Sequence, residues 1–261
     1  MGIRRLLAER TGLLSLMKRE VVRFFVVYSQ TLLPPLISSS LFLFVFGLSL
    51  GRNIGQLPEG VDYLHFMVPG LVMMHLIEAP YANTSSSLFI SRWHNIIQEL
   101  LVSPLSYFEM VLGLLTGGLV RGLIVASGVY GMTLFFARSP IAHPWIVLYF
   151  FVTVTFVFSC LGLIVGLWAD GFEKLSFWST FVLTPLIYFG GVFHALSMVP
   201  EPLRLVTRLN PIFYLVNGLR YGMIGVADAD VRVCMGLAAA LAAGLFLLVV
   251  RLFRTGYKLR S

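Results

Sequence analysis

Glu78 and Arg121 interrupt two stretches of this chain that are otherwise uncharged and long enough to cross a bilayer. Residues 63–91 hold one charge, Glu78, and residues 110–137 hold one, Arg121. A charge at such depth is expensive and marks a functional candidate by default. At about 1.5 Å of rise per residue, both lie about 15–20 Å from the more basic end of their helices. Consecutive antiparallel spans usually neighbour each other. A Glu78–Arg121 pair is therefore geometrically open, with His75 one turn from Glu78. Three roles fit these intramembrane polar residues: an internal tie between spans, a polar spot lining a transport path, or a proton relay. A relay would need a chain of further acids.

Little else in the chain could do chemistry. There is no G-x-x-x-x-G-K-[ST] loop for nucleotide phosphates and no G-x-S-x-G elbow for a nucleophile. The histidines at 65, 75, 94, 143 and 194 form no H-x-x-x-H pair, so no metal site is expected. Cys160 and Cys234 sit inside apolar runs and read as small buried hydrophobes. No catalytic residue is expected in this chain. Glycine pairs at Gly113/Gly117, Gly118/Gly122 and Gly162/Gly166 have the spacing that lets helices approach closely.

The elements that must position these residues follow from composition. Of 261 residues, 58% are hydrophobic and 12% are charged, against about 45–50% and about 25% in soluble domains. That excludes disordered, coiled-coil and disulfide-scaffold classes and almost any soluble enzyme. The expected fold is all-α: a polytopic membrane protein in a single transmembrane domain covering residues 1–261. Gaps between charges place six transmembrane helices at about 24–51, 63–90, 108–137, 143–169, 175–193 and 231–250. The net charge of +7 then reports topology rather than nucleic-acid binding. Six spans put both termini on one side. Twelve Lys and Arg fall on that side and six on the other, so both termini are expected to be cytoplasmic. Charges persist to Arg23 and no cleavage site follows, so the first span is expected to be retained.

Three non-spanning segments carry the remaining signal. On residues 3–23 the apolar side chains gather on one arc of a helical wheel and the basic ones opposite, which predicts an amphipathic interface helix. Residues 91–104 predict a second amphipathic helix in the cytoplasmic loop between spans two and three. Its apolar stripe is Trp93, Ile96, Ile97, Leu100 and Leu101, with Glu99 on the other face. That helix either lies on headgroups or plugs a groove in a separate protein. Residues 193–220 are broken by Pro200, Pro202 and Pro211 and are expected to form short re-entrant helices on the external side. Leu209–Leu219 is too short to span.

Several of these stretches together resemble a known family. They are Val68-Pro69-Gly70, the run Glu99-Leu100-Leu101-Val102-Ser103-Pro104, and residues 183–193 (LTPLIYFGGVF). Asn210-Pro211-Ile212-Phe213-Tyr214 and Gly218-Leu219-Arg220-Tyr221-Gly222 complete the set. In this order they resemble the permease subunits of type-2 ABC exporters, the group holding O-antigen, Nod-factor and drug-export permeases. The resemblance implies a homodimer in the bacterial inner membrane, joined by two copies of a separate ABC ATPase subunit. That partner would bind ATP and Mg, and this chain would bind no cofactor. It implies that the N-terminal amphipathic helix and the 91–104 helix contact the ATPase, with Trp93, Ile96, Ile97, Glu99, Leu100 and Leu101 as the coupling residues. It also implies that the external segment with Asn210, Pro211, Tyr214 and Arg220 closes the outer side. The expected function is outward export of an amphipathic substrate: lipid-linked glycan, lipid or drug. The alternative is an ion- or proton-coupled carrier using Glu78, which would call for more buried acids and an inverted repeat.

Overall fold

The computed structural model describes residues 2–50, 60–137 and 140–259, and every regular element within them is helical. Arg52, Arg138 and Arg260, which enter the charge count, lie outside the described residues. The helices are α1 Gly2–Val26, α2 Tyr28–Phe42, α3 Tyr63–Trp93, α4 Ile97–Val102, α5 Tyr107–Thr133 and α6 Pro144–Trp168. They continue as α7 Phe172–Phe177, α8 Thr184–Phe189, α9 Glu201–Leu209, α10 Pro211–Ile224 and α11 Val231–Thr255. A π-helical stretch, Leu43–Leu50, extends α2, and a π-helical turn, Trp178–Leu183, joins α7 to α8.

Among the described residues, four helices are long and apolar enough to cross a membrane: Tyr28–Gly47, α5, α6 and α11. α3 is longer, at 31 residues, but Glu78, Arg92 and the polar run Asn83–Ser87 lower its hydropathy. It is the central element and packs most extensively on α6 and α5. Most of its side chains are buried among neighbours. That is how a helix with this many polar groups is accommodated: they find partners inside the bundle. Thr84 Oγ1, for example, donates to the Ser159 carbonyl on α6 at 2.9 Å.

The glycine pairs make these contacts. Cβ atoms at Gly118 and Gly122 would collide with Ser159 and Thr155 of α6 and crowd Thr84 and Pro80 of α3. At Gly162 a Cβ would meet Thr84 and the Tyr81 carbonyl, and at Gly166 the Ser85 carbonyl. Gly113 and Gly117 admit Leu16 and Glu20 of α1. Capping fixes several helix starts. Ser106 and Glu109 form a reciprocal capping box on α5, and Asn210 and Asp230 cap α10 and α11, each supplying acceptors for otherwise orphaned N–H groups.

Several boundaries differ from the sequence expectation. The amphipathic helix does not stop at Arg23 but runs to Val26, and the chain kinks at Val27 before α2 begins. α3 continues to Trp93, so the expected helix over 91–104 is divided between the end of α3 and the short α4. Between them Asn95 adopts a left-handed conformation, φ 60°, which asparagine tolerates better than most side chains. The fifth apolar stretch is helical from Phe172 to Phe189 but carries the π-helical turn. In the segment expected to be external, α10 reaches Ile224 and is mostly buried against α3, α6 and α11. It is an interior helix rather than an interfacial fragment.

Candidate functional site

The elbow between α3 and α4 separates the expected coupling residues into two groups. Ile97 (4% exposed) and Leu100 (9%) are buried in a core cluster with Leu16, Leu105, Leu167, Phe253 and Leu259. Trp93 (59%), Ile96 and Glu99 remain exposed, and Leu101 is half-buried. The exposed patch therefore differs from the stripe read along an unbroken helix, because the turn at Asn95 changes the axis between Trp93 and Ile97. Val102, 87% exposed, joins the free face. Trp93 closes an aromatic group, with ring centroids 5.7 Å from Phe89 and 6.4 Å from Phe172. Beside it is a cleft of about 280 Å³ lined by Arg92, Trp93, Gln98, Asp170 and Lys258 among others.

Arg92 is the residue that sequence reasoning missed here, having been counted only as a topological charge. Its Nη1 donates to the carbonyls of Gly166 (2.9 Å), Leu167 (2.7 Å) and Ala169 (3.0 Å). These are carbonyls at the C-terminal end of α6, which an α-helix leaves without internal partners. Arg92 thus fastens the α3–α4 elbow to α6. Lys258 adds a second cation, donating to the Trp168 carbonyl at 2.8 Å and to Asp170 at 2.6 Å. Lys174 also meets Asp170, at 2.7 Å. The two ammonium groups pull the Asp170 carboxyl down to about 2. An arginine near a helix end is a recognised partner for carbonyls, but that these belong to a helix 74 positions away is not written in any local pattern.

Glu20 overturns part of the amphipathic reading of α1. It falls on the polar arc, yet it is 1% exposed. Ser87 of α3 donates to it at 2.8 Å, and Arg19 and Arg23 lie at 3.0 and 3.3 Å. Arg23 also donates to the Asn83 carbonyl at 3.0 Å. The C-terminal half of α1 is thus docked on α3 and α5 rather than lying free on the membrane surface.

The Glu78–Arg121 pair does not form. Pro80 and Thr84 face Gly122 and Gly118 of α5. Glu78 precedes Pro80 by two residues, about 200° around the helix, and so points away from α5. It lines instead a cleft of about 380 Å³ against the α7–α8 run. Its ionic neighbour is His75, whose Nδ1 is 3.9 Å away. The His75 Nε2 is hydrogen-bonded to Ser39 of α2 at 2.8 Å. Arg121 lies within electrostatic reach of Arg23, and its Nε is buried without a hydrogen-bond partner among the described residues.

At the opposite end, the expected external residues knit the 190–224 segment together. Asn210 donates to the Leu186 carbonyl at 2.6 Å and accepts from the Ile212 N–H at 3.0 Å, so it ties α8 to the start of α10. Pro211 occupies the first turn of α10, where its missing N–H costs nothing. Tyr214 packs its ring 5.4 Å from that of Phe213. Arg220 is buried, stacks 3.7 Å over the Phe66 ring and donates to the Gly191 carbonyl at 2.6 Å. A Cβ at Gly70 would collide with the Val192 carbonyl, which explains the glycine after Pro69. α9 leaves Leu205, Val206 and Leu209 exposed.

Among the described residues the chain is an all-helical bundle with membrane-length apolar helices, the architecture of a polytopic membrane protein. The chain belongs to the ABC-2 type transporter family, whose profile matches residues 11–224. It is similar to an inner membrane transport permease, YadH, of Escherichia coli K12, at 38% identity over 251 residues covering 96% of this chain and 97% of that one. It also resembles Nodulation protein J of Rhizobium meliloti, at 25% identity over 219 residues and 82% of each chain. Membership implies an ABC ATPase as partner.

Proposed function

We propose that this chain is the six-span membrane subunit of an ATP-driven exporter in a bacterial inner membrane, with both termini cytoplasmic. It works as a homodimer with two copies of a separate ABC ATPase and moves an amphipathic cargo outward. The observation that carries this is the α3–α4 elbow. Ile97 and Leu100 anchor it in the core and Arg92 fastens it to α6, while Trp93, Ile96, Glu99 and Val102 are left for a partner. A push on that face is passed to the central helix and to α6 through rigid contacts. ATP and Mg act on the partner chain. The fifth and sixth spans are α7–α8 and α11, and α3 is the second. The secondary-carrier reading is less well supported, because His75 is the one ionic neighbour of Glu78 among the described residues and no second acid lines its cleft.

The test is co-purification with the ATPase. Trp93→Leu keeps the patch apolar and alters its shape. A few buried aromatic anchors usually dominate an interface, so it should weaken ATPase retention and lower transport while insertion stays normal. Glu99→Lys should have a smaller, salt-sensitive effect. Full retention and transport in both variants would move coupling to α1.

A further inference from the structure

We propose that the cleft between α3 and the α7–α8 run binds the cationic head of an amphipathic cargo, with Glu78 as its counter-charge. The adjoining apolar pocket takes the hydrocarbon tail. This inference rests on the exporter reading and narrows its cargo.

The contrast between Glu20 and Glu78 is the starting point. Both are carboxylates within the helical bundle. Glu20 is satisfied internally by Arg19, Arg23 and Ser87. Glu78 is half-open to its cleft, and His75 at 3.9 Å is beyond hydrogen-bonding distance, its other ring nitrogen engaged with Ser39. Among the described residues lining this cleft, Glu78 alone is charged. A carboxylate at membrane depth whose nearest ionic partner is a histidine at 3.9 Å is costly, and an ammonium group from a ligand would relieve it.

The hydroxyls around it sharpen the choice of head group. Ser86 donates to the Ala82 carbonyl at 2.6 Å, Ser179 to Ser176 at 3.0 Å and Thr184 to Ser179 at 2.9 Å. Their protons are used by the helices themselves. What they offer a ligand is lone pairs. With Glu78 as the one charged group and these hydroxyl acceptors on its wall, the cleft favours a donor-rich cation over phosphate or carboxylate heads.

The tail has a place to go. A wholly apolar pocket of about 260 Å³ lies between α6, the α7–α8 run, α10 and α11, lined by Val157, Leu161, Trp178, Ile212 and Leu241 among others. It shares Tyr81 and Leu183 with the cleft. Tyr81 is 3% exposed and its hydroxyl is buried with no hydrogen-bond partner among the described residues. At this junction its side chain lines both spaces. The π-helical turn Trp178–Leu183 contributes to both walls, and such turns are frequent at functional sites.

The probe is trimethylammonium diphenylhexatriene, compared with uncharged diphenylhexatriene and its propionic acid derivative. Each is titrated into nanodiscs holding the purified permease, and energy transfer from tryptophan, Trp178 included, is read. The cationic probe should saturate, whereas the other two should show only linear partition into lipid. Glu78→Gln should raise the midpoint by about ten-fold or more, as expected for loss of a buried ion pair, with elution and melting unchanged. Ala82→Arg places a guanidinium one turn from Glu78 at an exposed position and should block saturation in the same way, so the test stands if Glu78→Gln folds poorly. Equal saturation by all three probes, or wild-type saturation in both variants, would overturn the proposal. The assay contains no ATPase. Coupled transport that showed no preference for charge would therefore sink the cation inference and leave the exporter reading intact.

Discussion

Arg92 Nε donates to the carbonyl of Lys258 at 2.8 Å, joining the α3–α4 elbow to a turn 166 positions later. The same guanidinium holds the carbonyls that end α6. Leu259, 3% exposed, shares a core cluster with Ile97 and Leu100. The C-terminal turn is therefore part of the surface that presents Trp93.

Replacing Arg92 should show this. A lysine has a compact ammonium on a flexible stem and cannot reproduce a planar fork meeting four carbonyls. Hydrogen bonds to charged groups are each worth about 1.5–3 kcal/mol, and several here are partly solvated. Arg92→Ala should cost about 2–3 kcal/mol by the same measure, and Arg92→Lys somewhat less. Thermal unfolding in lipid nanodiscs measures the loss, and ATPase co-purification should weaken in parallel. Unchanged melting in Arg92→Ala would mean that water replaces the arginine at no cost.

Asp170 gives the elbow a defined response to acid. Its carboxyl is lowered to about 2 by Lys174 and Lys258, from an ordinary value near about 3.9. A depressed acid contributes stability that is complete above its unfolded value and is lost as pH falls through the folded one. The tie to the C-terminal turn should hold at every pH above about 4 and weaken only between about 4 and about 2. Asp170→Asn should release the turn already at neutral pH, read as faster proteolysis at Tyr257–Leu259. A transition in the wild type near neutrality would point to a different group.

The helix contacts can be tested at two glycines. A Cβ at Gly162 would collide with Thr84 and the Tyr81 carbonyl, whereas at Gly131 it would meet nothing within 4 Å. Gly162→Ala should lower the melting temperature by an amount corresponding to about 1–3 kcal/mol, the usual cost of overpacking. Gly131→Ala should be neutral, or stabilising by up to about 1 kcal/mol through helix propensity. Equal effects at the two sites would contradict the close approach of α6 to α3.

Orientation is tested by labelling. Ser197 and Val102 are both exposed, and the proposed topology puts them on opposite sides. A cysteine at Ser197 should react with an impermeant maleimide added to intact cells, and one at Val102 should react only after permeabilisation. Thr207, buried at 1% exposure, would be silent on either side. Labelling of Val102→Cys from outside would invert the whole assignment.

Much of this protein was legible in the residues alone. Long uncharged gaps locate helices because a charge in hydrocarbon is costly wherever it sits, and α5, α6 and α11 lie where those gaps fall. The glycine pairs announced close contacts because only a missing side chain admits another backbone. Pro211 marked a break between helices because a proline cannot continue the preceding one, and α10 begins at that residue. The tertiary structure decided what depends on azimuth and on distant partners. Glu78 and Arg121 are matched in depth, but depth does not say which way a side chain points, and Pro80 and Thr84 fix α3 with Glu78 turned away from α5. Ile97 and Leu100 look like Trp93 in a helical repeat, yet the left-handed residue Asn95 separates the two groups, sending one pair into the core and leaving the other outside. Glu20 reads as a solvated charge until Ser87, 67 positions away, closes over it. Local patterns report each residue's own helix. Burial and pairing belong to the neighbours that folding brings to it.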